Sequence, residues 1–124
     1  MNASSLALIL TGVFLNASAQ LLLKAGAAGL RDVELALANA GPIAMQLGQN
    51  PAVLAGLACY AISVVVWILA LARVDVSVAY PMLSLGYIVS AAGAWWLFDE
   101  NVSPLRVAGI LTIVAGTWLV ARSS

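Results

Sequence analysis

The sequence predicts an all-α membrane protein: a single domain over residues 1–124 with four transmembrane helices, assembled as a dimer. Composition carries the first part of that prediction. Hydrophobic residues make up 64% of the chain and charged residues 8%, whereas globular domains are roughly half apolar and a quarter charged. Mean hydropathy is +1.06. The second part is the distribution of apolar residues, which falls into four runs near the length of about 20 residues that a bilayer core of about 30 Å requires.

The first span is expected over about 6–23, the second over 52–72, the third over 76–98 and the fourth over 105–121. No Lys or Arg precedes the first apolar run, so that segment is expected to remain in the mature protein rather than act as a cleaved signal. In "QNPAVL", Asn50 is placed to cap a helix whose first residue is Pro51, where the missing N–H costs nothing. "VSPLRV" repeats the device with Ser103 and Pro104. "RVDVS" is a tight polar hinge, and "FDEN" marks the exit of the third span. Residues 26–50 lack an apolar core of spanning length. Two readings stand for them: an amphipathic interfacial segment broken near Gly41-Pro42, or a mobile loop.

Five Lys/Arg balance five Asp/Glu, so net charge argues for neither a nucleic-acid nor an acidic partner. There is no His, which removes the commonest general base and metal ligand. The one cysteine, Cys59, lies in an apolar run and reads as a small hydrophobe. No catalytic residue, metal site or cofactor is expected, and the chain does not read as an enzyme. Arg73 and Arg122 fall on the side of the termini, and Lys24, Arg31 and Arg106 on the other. A bias of one residue leaves orientation open, to be set by an antiparallel copy or by a partner.

Two polar stripes and a small-residue face carry the functional reading. "NASAQLLLKAG" places Asn16, Gln20 and Lys24 four residues apart, so they advance by about 40° per step along one side of the first helix. Polar groups in hydrocarbon are costly and are expected to face a cleft. An ammonium with an amide beneath it suits a phosphate. Against this, Lys24 near a helix end can simply snorkel to the headgroups. "SVAYPMLSLGY" places Ser77, Tyr80, Ser84 and Tyr87 at helical spacing around Pro81, which removes a backbone hydrogen bond and kinks the helix. Tyr80 and Ser84 are the expected cavity-lining pair, and Ser77 or Tyr80 the expected partner for the freed carbonyl. In the fourth span Gly109, Thr112 and Gly116 form a small-residue face suited to dimerisation, as does the row Gly86, Ser90 and Ala94 in the third; packing within one subunit is the rival reading for both. Asp99 and Glu100 are read as helix-end or Arg106 partners, and Trp95, Trp96 and Trp118 as interfacial anchors. Tyr60 and Trp67 lie deeper, within reach of a bound ligand, though packing alone explains them.

"SAQLLLK", "VAYPMLSL" and "ENVSPLRVAGILTIVAG" resemble the drug/metabolite transporter superfamily. Within it, they are similar to four-helix subunits of the undecaprenyl phosphate–aminoarabinose flippase. The resemblance covers most of the chain outside 26–50 and rests on Gln20 and Lys24, on Ala79 to Leu85, and on Val102 to Pro104. It implies a multi-pass protein of the bacterial inner membrane whose partners are membrane lipids, a lipid-linked phosphate-sugar substrate and a second four-helix chain, identical or similar. The related small multidrug resistance exporters rely on a carboxylate eight residues before a Lys in the first helix. Here that position is Asn16, and an amide cannot release a proton in this pH range. Their third-helix Trp is Leu83. Export of small molecules and a non-transporting subunit that stabilises a partner stay as alternatives.

Overall fold

The computed structural model describes residues 2–30, 33–34 and 36–123; Arg31, counted in the charge balance above, lies outside them. The elements are α1 (Ala3–Ala27), 3₁₀ turns Ala28–Leu30 and Leu37–Asn39, α2 (Ala40–Gln49), α3 (Pro51–Leu71), α4 (Val76–Met82), a 3₁₀ turn Leu83–Leu85, α5 (Gly86–Leu97) and α6 (Pro104–Arg122). No strand occurs among the described residues. Among the described residues, four helical stretches are long and apolar enough to cross a membrane: Ala3–Leu30, Pro51–Leu71, Val76–Leu97 and Pro104–Arg122. This is a multi-pass membrane protein.

The first helix runs past its apolar run through "KAGA" before tightening into the 3₁₀ turn. Asn2 opens it, its side-chain oxygen accepting from the Ser5 N–H at 2.8 Å. Its 25 residues span about 38 Å, more than the hydrocarbon core, and Lys24 lies in its last turn. Asn50 caps α3: its Oδ1 accepts from the N–H groups of Ala52 and Val53, while its Nδ2 donates to Gly26 O at 3.3 Å. One side chain thus ties the end of α1 to the start of α3. Ser103 caps α6 by accepting from the Arg106 N–H at 3.2 Å. Over 40–49 the chain is helical, and Gly41-Pro42 opens that helix instead of breaking it. Pro42 sits in the first turn, where N–H groups have no intrahelical partner to lose.

α1 and α3 form the central antiparallel pair. Ser5, Gly12, Ala19 and Gly26, spaced by seven, are all buried on α1. A Cβ on Gly12 would meet Trp67 Cε3 at 3.3 Å, and one on Gly26 would collide with Val53 Cγ2. From the other side, a Cβ on Gly56 would lie 3.1 Å from the Ala19 carbonyl oxygen. Helices gain little from excluding one another from lipid, so such close backbone approach is what holds them together. α5 packs on another face of α1, where Gly86 receives Val13 and Gly93 receives Leu21. The row through Gly86 therefore serves packing within the chain. Ile9, Val13, Ala70, Val78 and Met82 form a compact core near the end that holds the termini.

α6 is attached more lightly. Thr117 is its buried residue, and its hydroxyl lies 3.1 Å from Pro81 O and 2.9 Å from Ile113 O. Ser84 Oγ donates to the same Pro81 carbonyl at 2.5 Å. Pro81 lies where α4 gives way to the 3₁₀ turn, and its own carbonyl, rather than the Ser77 carbonyl that loses its N–H donor, takes side chains of two spans.

The seam gives a direct test. Gly56→Ala should destabilise the protein by about 1–3 kcal/mol through overpacking. Gly48→Ala, with open space around it, should be neutral or stabilising by up to about 1 kcal/mol. Unfolding titrations in detergent micelles check the pair.

Candidate functional site

Two of the cavities along α1 are lined by residues of its polar stripe. The first, about 360 Å³, is lined by Gly12, Asn16, Tyr60, Ser63, Trp67 and Tyr80, with apolar neighbours from α3 and Leu83. Asn16 lies near the middle of α1, at the depth where a polar group most needs company. Trp67 stands edge-on to Tyr80, with ring centroids 5.9 Å apart and planes at 86°. The Trp67 indole Nε1 is buried and has no hydrogen-bond partner. An orphan donor of this kind is rare and costs free energy unless something accepts from it.

The second cavity, about 620 Å³, lies at the far end of α1 and is lined by Lys24, Ala27, Ala28, Phe98 and Glu100. Lys24 Nζ stands 3.7 Å from Glu100 Oε2, with the two side chains 62% and 37% exposed. An exposed pair at this distance contributes at most about 1 kcal/mol, so it opens readily. Backbone geometry delivers the carboxylate. Asp99, two residues past the end of α5, has φ at 55°, a left-handed conformation that Asp tolerates better than most residues. The reversed chain lets the Glu100 N–H donate to Ala94 O at 3.2 Å. Arg106, the partner expected for the acidic pair, instead donates from Nη1 to Asn101 O at 3.0 Å.

The structure divides the expected site residues. Asn16 and Tyr80 meet in the first cavity and Lys24 lines the second. Gln20 is exposed and borders neither. The reason is helical drift. Relative to the seam through Gly12, Asn16 is turned by about 40°, Gln20 by about 80° and Lys24 by about 120°. The stripe therefore winds from the α3 side toward the α5 side. Ser84 lies outside both cavities, engaged with the Pro81 carbonyl together with Thr117. Thr117 was not singled out by the sequence, because a lone Thr in an apolar helix has no pattern around it. Tyr60 and Trp67 prove to line the cavity with Asn16. Their signal was the row Tyr60, Ser63, Val64 and Trp67, which falls on one face of α3. Gly109 and Gly116 face open space, with nothing within 4 Å of a built Cβ. Thr112 on the same helix turns its hydroxyl back to Ala108 O at 2.8 Å.

A family model described as Small Multidrug Resistance protein matches residues 43–113, more than half of the chain. The chain belongs to the small multidrug resistance family. This small multidrug resistance protein is also similar to three curated relatives. It is 35% identical to the probable 4-amino-4-deoxy-L-arabinose-phosphoundecaprenol flippase subunit ArnF of Photorhabdus laumondii, over 91% of this chain and 93% of that protein. It is 38% identical to the subunit of the same name from Yersinia enterocolitica, over 82% and 81%. It is 47% identical over 58 residues to the subunit ArnE of Pseudomonas aeruginosa, over 47% of this chain and 50% of that protein. The chain thus spans about half the length of the Pseudomonas relative and most of the other two. No solved structure matches it.

The cavity around Asn16 makes a chemical prediction. In a Cys59→Ser background, Asn16→Cys should react with a water-soluble maleimide faster than Leu69→Cys on the apolar outer face of α3, because the reactive thiolate forms only where water reaches. Equal, slow labelling of both in reconstituted vesicles would mean that the cavity is dry.

Proposed function

We propose that this protein is one subunit of an inner-membrane flippase for an amphipathic lipid carrying a phosphate, of the polyprenyl-phosphate amino-sugar class named for its relatives. The observation that carries this reading is the polar track on α1. It runs from the Lys24 cavity past exposed Gln20 to the Asn16 cavity, two turns or about 12 Å deeper. Lys24 and Gln20 take the phosphate at the membrane surface. Asn16, Tyr80 and the orphan Trp67 donor receive the polar headgroup further in, with Ser84 keeping the kinked wall in shape. The prenyl tail stays in lipid through a lateral opening, so no apolar chain crosses water. No bond is made or broken.

One chain encloses too little for this, and transport sites usually lie between two related halves. A second four-helix chain docks on the α6 face of Gly109, Thr112 and Gly116. Two features support this: the open space at both glycines and the similarity of this chain to subunits of both names, ArnE and ArnF. Family membership also favours a second reading, export of small cations. Against it, Ala3–Ala27 contains no Asp or Glu, so the first helix holds no carboxylate to exchange protons for a cation.

In proteoliposomes, Lys24→Ala should slow translocation of the phosphate lipid by about tenfold or more, the factor of one charge-assisted hydrogen bond, and Lys24→Arg should retain most of it. Unchanged rates in Lys24→Ala overturn the assignment, and proton-driven efflux of a cationic dye without lipid movement favours the exporter. Gly116→Leu should abolish cross-linking between subunits in the membrane while leaving helix content intact. Undiminished cross-linking removes α6 from the interface.

A further inference from the structure

The ion pair at the mouth of the track holds information that the phosphate alone does not use. Lys24 offers a cation and Glu100 an anion on the wall of one 620 Å³ cavity, 3.7 Å apart and both solvent-accessible. A site built only for a phosphate gains nothing from a carboxylate beside its ammonium. The negative charge competes for the ammonium and repels the ligand. Nor is the carboxylate needed to neutralise a buried cation, since Lys24 is more than half exposed. The Glu100 backbone is held beside Lys24 by the left-handed Asp99 and by the bond from its own N–H to Ala94 O.

A ligand carrying both charges resolves the conflict. A phosphodiester draws Lys24 away from Glu100, and an amine on the attached sugar takes the place that Lys24 vacates. Each protein charge then exchanges a weak partner for a ligand group of the same sign, and no charge is left unpaired as the headgroup loses water. We infer that Glu100 is the specificity-determining residue for a cationic amine on the headgroup, so that the Lys24–Glu100 pair selects zwitterionic amino-sugar phosphates over anionic ones. This rests on the flippase reading above and adds to it the residue that reads the sugar. A hydroxyl in place of the amine leaves Glu100 facing a neutral group, while the lysine it paired with is already committed to phosphate.

The test uses the full chain, purified with any partner it assembles with and reconstituted into vesicles. The probes are two polyprenyl-phosphate pentoses that differ only in an amine or a hydroxyl at carbon 4. The native protein should prefer the amine by about tenfold or more, as one charge-assisted hydrogen bond supplies. Glu100→Gln should bring the ratio close to one by slowing the amine lipid selectively, and Glu100→Asp should restore part of the preference. Lys24→Ala should slow both lipids alike. Equal slowing of both lipids by Glu100→Gln overturns the inference, because it assigns Glu100 to holding Lys24 in place. An amine preference that survives in Glu100→Gln overturns it as well. If the native protein moves neither lipid, the flippase reading fails and takes this assignment with it, an outcome distinct from retained transport without selectivity.

Discussion

Close approach of α1 and α3 is the constraint from which the rest of the arrangement follows. In lipid, two apolar helices have no water to flee, and their association depends on how near the backbones come. Gly12, Ala19 and Gly26 on α1, met by Trp67, Gly56 and Val53 on α3, allow that approach along the full length of the pair. The contact fixes the rotation of α1 about its axis. Once that angle is set, Asn16 must lie beside the seam and Lys24 must face α5. The placement of every polar residue on the first helix is a geometric consequence of which small residues it buries.

The same frame explains why the polar groups are graded by depth. Asn16, an uncharged amide, stands where the bilayer is least forgiving and has aromatic neighbours with polar tips. Lys24, the charge, stands in the last turn of the helix, where Glu100 can reach it. The kink at Pro81 supplies the opposing wall. Its carbonyl takes hydroxyls from Ser84 and Thr117, so the bend is secured from within its own span and from α6. α6 otherwise leaves its glycines open. The chain spends its small residues on an internal seam in one helix and leaves an equivalent row open in another, the face on which the proposed second subunit docks.

Much of this was legible in the sequence. Composition and run length reveal four spans because burying twenty apolar residues in water is untenable. Asn50-Pro51 and Ser103-Pro104 announce their helix starts because capping is local chemistry. What escaped was anything that depends on rotation or on a distant turn. The seven-residue row on α1 and the one on α6 look alike in sequence, and only the facing surfaces decide which is buried. The winding of the Asn16, Gln20 and Lys24 stripe is small per step but separates its ends into different cavities. Glu100 lies close in sequence to Arg106 and far from Lys24, yet the backbone reversal at Asp99 decides its partner.

The central claim is that the polar side of α1 is the path of a lipid headgroup rather than a set of snorkelling side chains. An electron cryo-microscopy map of the assembled protein with bound substrate lipid tests it most directly. The account predicts phosphate density within about 3 Å of Lys24 Nζ, with the tail leaving between helices into the bilayer. Substrate density lodged elsewhere, with Lys24 turned among bulk headgroups, would contradict it.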